Sequence, residues 1–312
     1  MSKLYAVGGL KLELPIIVGA GVCKVPEQIL EYQEAPVGAV TAGSFTLNPR
    51  DKNLGSNMWP ETVRSEADLA YVINSWGMPN CGVEDARAHF KTLASSLQRP
   101  LILSFAGFSS EDYRKGYEQV CHIESAQVFE CNLGCPNTAE HGGGITMSYD
   151  IDGLRDILVY LNVAYRRTGP KVWLKFSPFH HPAHDHLLEE IATLINAYFP
   201  MISAVVAINT LPNVSIQYGG KTLIEASGGY GGLSGMMLKP IALQNVRRWR
   251  AALRPEIDVI GMGGAVNGDD IVDFLREGAA AVGLTSLPCL FGGAKAFQDV
   301  LIDSDRLEDY LS

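Results

Sequence analysis

Several things are scarce in this sequence, and each scarcity removes a class of function. No apolar run approaches the ~20 residues that a membrane-spanning helix needs, and the 312 residues carry only 19% charged side chains. Basic residues are the minority: 25 Lys and Arg stand against 34 Asp and Glu, a formal net charge of −9. Sequence-independent nucleic-acid binding needs a basic face, so that class is set aside. The six cysteines (Cys23, Cys81, Cys121, Cys131, Cys135, Cys289) are scattered and form no CxxC pair. Neither a zinc site nor an iron–sulfur cluster is encoded in an obvious way. The first residues lack the basic-then-apolar pattern of an export signal, and free thiols suit a reducing compartment, so a cytoplasmic protein is expected. Linkers, low-complexity segments and charged tails are also missing, and residues 1–312 read as a single domain.

What is present is a beat of short apolar strand, Gly- or Asn-rich turn and amphipathic helix. It follows an opening hairpin in which Leu4–Val7 and Leu10–Leu14 flank Gly8-Gly9. Strands are predicted at Pro15–Val18, Val37–Thr41, Leu101–Phe105, Gln127–Asn132, Val172–Phe176, Ala204–Ile208, Val259–Gly261 and Ala281–Leu284. Helical patterns lie between them, near Glu27–Gln33, Val83–Leu97, Ser110–His122, Asp152–Arg167, Asp185–Tyr198, Lys239–Leu253 and Asp269–Glu277. Strands of near-continuous apolar character alternating with helices imply a parallel sheet covered on both faces. Eight of them is the number that closes a (β/α)8 TIM barrel, with an open doubly wound sheet as the alternative. Two long excursions, Asn48 to Gly82 and Asn209 to Leu238, follow the second and sixth strands. Loops of that length are usually lids or binding loops, and strand C-termini are where barrels build their sites.

Those strand ends carry the candidate chemistry. Val128–Asn137 runs from a buried strand into a turn that sets Cys135 between Asn132 and Asn137. A thiol can move a proton, and carboxamides can grip a ring bearing carbonyl and N–H groups; a buried structural cysteine is the plainer reading. The first strand ends in Gly19-Ala20-Gly21, where backbone can approach a flat ligand. The second ends at Gly43-Ser44, the fifth places Lys175 at a strand tip, and the sixth leads from Ile208 into Asn209-Thr210. Snorkelling into solvent is the bland account of Lys175. The last two strands finish with Gly261-Met262-Gly263-Gly264 and Leu284-Thr285-Ser286, whose N–H and hydroxyl donors suit a phosphate at the usual place in such a barrel. The His-rich stretch Phe179–His186 reads as a loop entering a helix, and no metal is expected.

With these residues laid out, the chain resembles the class 1, soluble dihydroorotate dehydrogenases, flavin enzymes on a (β/α)8 barrel. Asn132-Leu-Gly-Cys-Pro-Asn137 is similar to the family's Asn-Leu-Ser-Cys-Pro-Asn. Ile73-Asn-Ser-Trp-Gly-Met-Pro-Asn80 looks like its substrate loop, with Trp76 where methionine is usual. Gly229-Tyr-Gly-Gly-Leu-Ser-Gly235, followed by Leu238-Lys-Pro240, resembles the flavin-proximal loop, and Gly261–Gly264 the phosphate turn. The resemblance implies FMN as cofactor and oxidation of dihydroorotate to orotate in pyrimidine biosynthesis. Cys135 would take a proton from C5, and Lys175 would sit at the flavin edge. Asn74, Asn132, Asn137, Asn209 and Thr210, with the Trp76-Gly77-Met78 segment, would hold the pyrimidine. Gly19, Ala20, Gly21, Gly43, Ser44, Asn132, Ile208, Gly235, Gly263, Gly264, Thr285 and Ser286 would line the cofactor. A homodimer is the implied assembly, and a soluble electron acceptor such as fumarate, or a partner flavoprotein, is open.

The family carries a lysine just after the second strand, and here Gly43 falls at that position. Losing a charged hydrogen bond to a desolvated anion costs roughly 2–4 kcal/mol. Either another cation such as Lys24 or Lys52 takes the role, or the substrate is a different, neutral dihydropyrimidine-like ring. A flavin-binding protein without turnover is the remaining alternative.

Overall fold

The computed structural model describes residues 3–134, 146–165, 169–302 and 304–312. Cys135 and Asn137 lie outside the described residues. Eight parallel strands close into one barrel: β1 (Ile16–Cys23), β2 (Ala39–Phe45), β3 (Leu101–Phe105), β4 (Ala126–Asn132), β5 (Lys171–Phe176), β6 (Ile202–Ala207), β7 (Asp258–Met262) and β8 (Ala281–Leu284). Helices α1 (Pro26–Gln33), α2 (Val83–Leu93), α3 (Ser110–Val120), α4 (Ile151–Ala164), α5 (Asp185–Ala197), α6 (Lys239–Ala252) and α7 (Gly268–Arg276) lie between successive strands. This is the (β/α)8 alternative, and the open sheet is excluded because β8 pairs with β1, Val282 opposite Ile16.

Strand alternation divides the core in two. Phe129 and Cys131 point out to the helices, where Phe129 stacks on Phe105 with ring centroids 5.7 Å apart; a fully buried Phe of this kind contributes about 2–3 kcal/mol. Val128 points inward with Ile17, Ala39, Ile102, Val206 and Ile260. The hairpin Tyr5–Val7 and Leu10–Leu12 plugs the lower end of that interior with Val7, Leu10 and Leu12. Gly8 is required there: its φ is +53°, and a Cβ would lie 2.4 Å from Trp173 Nε1. Trp173 Nε1 and Ser203 Oγ both donate to the Gly8 carbonyl, at 3.0 and 2.7 Å.

The predicted strands β3 and β8 coincide with those observed, and β1 and β2 run further, to Cys23 and Phe45. Three elements at the C-terminal end have no counterpart in the sequence reading: α8 (Ser286–Leu290), α9 (Lys295–Ile302) and α10 (Asp305–Leu311). The two long excursions are not independent lids. They fold together into one four-stranded antiparallel sheet in the order Leu211–Val214, Gly231–Ser234, Val72–Asn74, Met58–Trp59. Further bonds join them: Glu225 N donates to Ser56 O at 2.8 Å, and the hydroxyls of Ser75 and Ser227 lie 2.8 Å apart. Among the described residues no helix is long and apolar enough to cross a membrane.

Candidate active site

At the C-terminal ends of the barrel strands, under the joined excursions, is a cavity of about 180 Å³. Its floor is a row of side chains on adjacent strand tips. Asn132 of β4 lies in register with Lys175 of β5. Asn132 Nδ2 donates to Ser44 Oγ at 2.8 Å, and its Oδ1 accepts from Asn209 Nδ2 at 2.8 Å. Ser44 Oγ in turn lies 2.8 Å from Ser104 Oγ, and Asn209 Oδ1 accepts from the Thr210 N–H at 2.7 Å. Two amides and two hydroxyls are thus held in fixed orientations, as recognition of a ring with carbonyl and N–H groups requires.

Lys175 does not snorkel. It is 4% exposed, lines the cavity, and has no hydrogen bond or ion pair among the described residues. A desolvated ammonium without a partner is costly, so the fold carries it for something that enters the cavity.

The opposite wall is backbone and hydroxyl. Gly263 and Gly264 have φ of +118° and +87°, and a Cβ on Gly264 would meet the amide of Lys239 at 2.6 Å. The turn therefore presses against the start of α6, where N–H groups and the helix dipole favour an anion. Asp270 fastens the turn from behind, accepting from Val266 N at 2.9 Å and from Lys239 Nζ. Thr285 Oγ1 is buried without a partner, and a Cβ on Gly19 would fall 2.1 Å from it. Gly19 thus supports the wall from behind, while Ala20, Gly21 and Ser286 line the cavity itself.

The roof comes from the first excursion. Asn74, Trp76, Gly77 and Met78 all line the cavity. Met78 holds a left-handed φ of 59°, a conformation costing a non-glycine residue about 1–2 kcal/mol. It is fixed by Asn80 Nδ2 donating to Met78 O at 2.8 Å and Arg50 Nε donating to Gly77 O at 3.1 Å. Gly77 must be glycine, since a Cβ would meet Asn53 Oδ1 at 2.3 Å.

Of the residues singled out in the sequence, Asn74, Trp76, Gly77, Met78, Asn132, Asn209, Thr210, Ala20, Gly21, Ser44, Lys175, Ile208, Gly235, Gly263, Gly264, Thr285 and Ser286 are brought together here. Gly43 is not among the lining residues: its φ is +102° and a Cβ would lie 2.5 Å from the Ser104 carbonyl, toward β3. Sequence reasoning missed Met58, Val72, Cys289 and Leu290, side chains with little polar signal, while Ser234, Leu238 and Met262 line the cavity from within the loop and turn motifs quoted from the sequence. Burial raises the Cys289 thiol pKa, with the charge of Lys24 pulling against it; burial likewise pushes Cys23 up. In the His-rich stretch, His181 Nδ1 accepts from Ala183 N at 3.1 Å and His184 stacks on Tyr149. Among the described residues no group of three or more His, Cys, Asp or Glu is placed to hold a metal.

A closed (β/α)8 barrel whose cavity at the strand C-termini sets a few amides and a lysine among apolar side chains defines a barrel enzyme that takes a small planar ligand. The family model for dihydroorotate dehydrogenase matches residues 4–308, and the chain belongs to that family of flavin-dependent oxidoreductases. It is 30% identical over 290 residues to the dihydroorotate dehydrogenase B (NAD(+)) catalytic subunit of Listeria monocytogenes serotype 4a, covering 92% of this chain and 88% of that one. The protein of the same name from Bacteroides fragilis is 28% identical over 278 residues, covering 88% and 84%. The structure of DHODH from Eimeria tenella in complex with ferulenol superposes with a TM-score of 0.78 at 20% identity, covering 99% of this chain and 84% of that one, a likeness of fold.

Proposed function

We propose that the chain binds FMN in this cavity and oxidises dihydroorotate to orotate. The observation that carries the reading is Lys175, a buried ammonium that lines the cavity beside the amides of Asn132 and Asn209. The residues fit the cofactor. Gly263, Gly264 and the unpartnered Thr285 hydroxyl would hold one phosphate. No Gly-x-Gly-x-x-Gly fingerprint follows β1 to take a second, which favours FMN over FAD. Lys175 would hold the polar edge of the ring system, where a cation favours added negative charge. When bound, FMN supplies the acceptor for the hydride that leaves C6 of the dihydropyrimidine.

The chain's own residues do the rest. Asn132, Asn209, Thr210 and Asn74 orient the pyrimidine through its carbonyl and N–H groups. The joined excursions keep water from it. The role of base at C5 goes to Cys135, on the family resemblance of the motif. The described chain reaches Gly134 against Asn209, a Cβ there lying 3.0 Å from Asn209 Cβ. That the similar proteins are named as catalytic subunits of an NAD(+)-type enzyme favours a partner subunit, over fumarate, as the route by which electrons leave.

Anaerobic mixing with dihydroorotate tests the reading: the yellow protein should bleach and orotate should form. Cys135→Ser should slow bleaching by at least ~100-fold and move its optimum to higher pH, because a hydroxyl is a poorer base than a thiol. Colourless protein that takes up no FMN, or FMN that dihydroorotate leaves oxidised, would sink it.

A further inference from the structure

The roof is suspended from two different supports. Its beginning, Val72–Asn74, is a strand of the lid sheet, paired with Gly231–Ser234 on one side and Met58–Trp59 on the other. From Ser75 on the chain leaves that sheet and turns through Gly77 and Met78, whose φ values are 79° and 59°. Backbone in that region persists only where its neighbours over-determine it. The far support is the side chain of Asn80, which lies outside the lining of the cavity.

Every hydrogen-bonding site of the Asn80 carboxamide is used. Oδ1 accepts from the N–H of Thr46 at 3.1 Å and from the N–H of Gly82 at 2.8 Å. Nδ2 donates to Thr46 Oγ1 at 2.9 Å and to Met78 O at 2.8 Å. The Thr46 hydroxyl spends its own hydrogen on Asn48 O at 2.6 Å, so its oxygen acts as the acceptor for Asn80. Two donor hydrogens and two lone pairs are all that a carboxamide has. Three of the four bonds anchor Asn80 to Thr46 and to Gly82 at the head of α2. The fourth reaches a residue that lines the cavity.

Thr46 is the residue just after β2, and it is buried. Two positions earlier, Ser44 Oγ accepts from Asn132 on the floor. The tip of β2 therefore holds the floor through Ser44 and the roof through Thr46 and Asn80. Anchoring the 80–82 turn would need only the bonds to Thr46 and Gly82; the bond to Met78 O ties the roof to the same strand as the floor.

We propose that Asn80 is a positioning residue that sets the separation between the Trp76-Gly77-Met78 roof and the Asn132–Asn209 floor, and with it the fit of a flat ring between them. The proposal rests on the functional reading above and names the group that fixes the dimensions of its substrate site. Asn80 acts through Met78 and touches no ligand itself.

Asn80→Asp is the discriminating variant. Its carboxylate still accepts from the Thr46 and Gly82 N–H groups, but it has no hydrogen for Met78 O and sets an oxygen against that carbonyl. Hydrogen exchange on the flavin-free protein should show amides 74–78 exchanging at least ~10-fold faster, with amides 126–132 within about twofold of wild type. In the loaded enzyme KM for dihydroorotate should rise ~10–100-fold with kcat within about threefold, the pattern of lost uniform binding. FMN affinity should stay within about threefold, because the 263–266 turn is untouched. Thr46→Val, which spares the bond to Met78, should raise KM by less than ~5-fold. A KM unchanged in Asn80→Asp despite faster roof exchange would overturn the proposal, since the roof position would then not matter to the substrate. Unchanged roof exchange would overturn it too, as would roof and floor loosening alike, which would make Asn80 a general support of the fold. Wild-type protein that leaves dihydroorotate unoxidised would overturn the functional reading and the substrate claim with it; the exchange result separates that failure from a failure of Asn80 to hold the roof.

Discussion

Asn209 Nδ2 donates to Asn132 Oδ1 across 2.8 Å, joining the tips of β4 and β6 over the strand between them. Lys175 stands on that middle strand, opposite Asn132 on one side and Val206 on the other. The barrel therefore brackets its one unpartnered buried ammonium, among the described residues, with two carboxamides whose orientations are set by each other. Asn132 is held from a third direction by Ser44, so the pair transmits the positions of β2, β4 and β6 to a ligand.

Truncating the pair should give graded losses. Asn209→Ala leaves Asn132 bonded to Ser44, and orotate affinity should fall by ~10-fold, the net worth of one buried hydrogen bond. Asn132→Ala removes both links and should cost ~100-fold. Spectral titration of the bound flavin with orotate measures both; equal losses would mean that the link between the amides adds nothing.

Lys175→Met should separate the cost of the charge from its use. Flavin-free protein should become more stable, with a Tm about 2 °C higher or more, because an unpaired buried ammonium is replaced by an apolar chain of similar length. The loaded protein should show a flavin midpoint potential lower by ~30 mV or more, and slower reduction by substrate. A fall in the Tm of the flavin-free protein would show that Lys175 is a structural residue.

Gly43 should not tolerate replacement. Its φ of +102° is strained for any side chain, and a Cβ would sit 2.5 Å from the Ser104 carbonyl. Gly43→Ala should lower stability by at least ~2 kcal/mol in urea unfolding. Gly43→Lys should likewise destabilise without raising dihydroorotate turnover. Restoration of turnover by that lysine would contradict the geometry.

The mounting of the 263–266 turn should show an acid limit. Burial works against the Asp273 carboxylate, but hydrogen bonds from Lys239 and Arg306 outweigh it and hold its pKa below the ordinary 3.8. A carboxylate depressed in the folded state contributes stability that is fully present above its unfolded pKa. That contribution is lost as pH falls through the folded one. Asp273→Asn should thus lower Tm at pH 7, with the deficit closing only below pH 3.8. Thermal scans across that range check it; a deficit independent of pH would place the effect in packing.

The sequence by itself determined eight alternating strands and helices and most of the cavity floor, while the pairing of β8 with β1 decided the closed barrel over the open sheet. Near-continuous apolar strands alternating with amphipathic helices admit few architectures, and β3 and β8 lie at the predicted bounds because turn residues flank them closely. Asn132, Lys175, Asn209 and Thr285 were legible because polar side chains at the tips of apolar strands have few other reasons to be there. The short lid strands carry too little periodicity to read, and Met58 or Leu290 look like any apolar residue until the chain is folded.

Only the tertiary structure decided three matters that bear on function. It joined two excursions more than a hundred residues apart into one sheet, a pairing that depends on both being anchored to the same barrel mouth. It turned Gly43 from a vacated position into a backbone requirement, because φ and the Ser104 carbonyl are set by the closure of β2 against β3. And it placed Lys24 beside Trp76, 52 residues away in sequence, because β1 and the roof meet at one edge of the barrel. Local pattern encodes which face of an element is buried; which charges share a cavity is fixed only when the strands close.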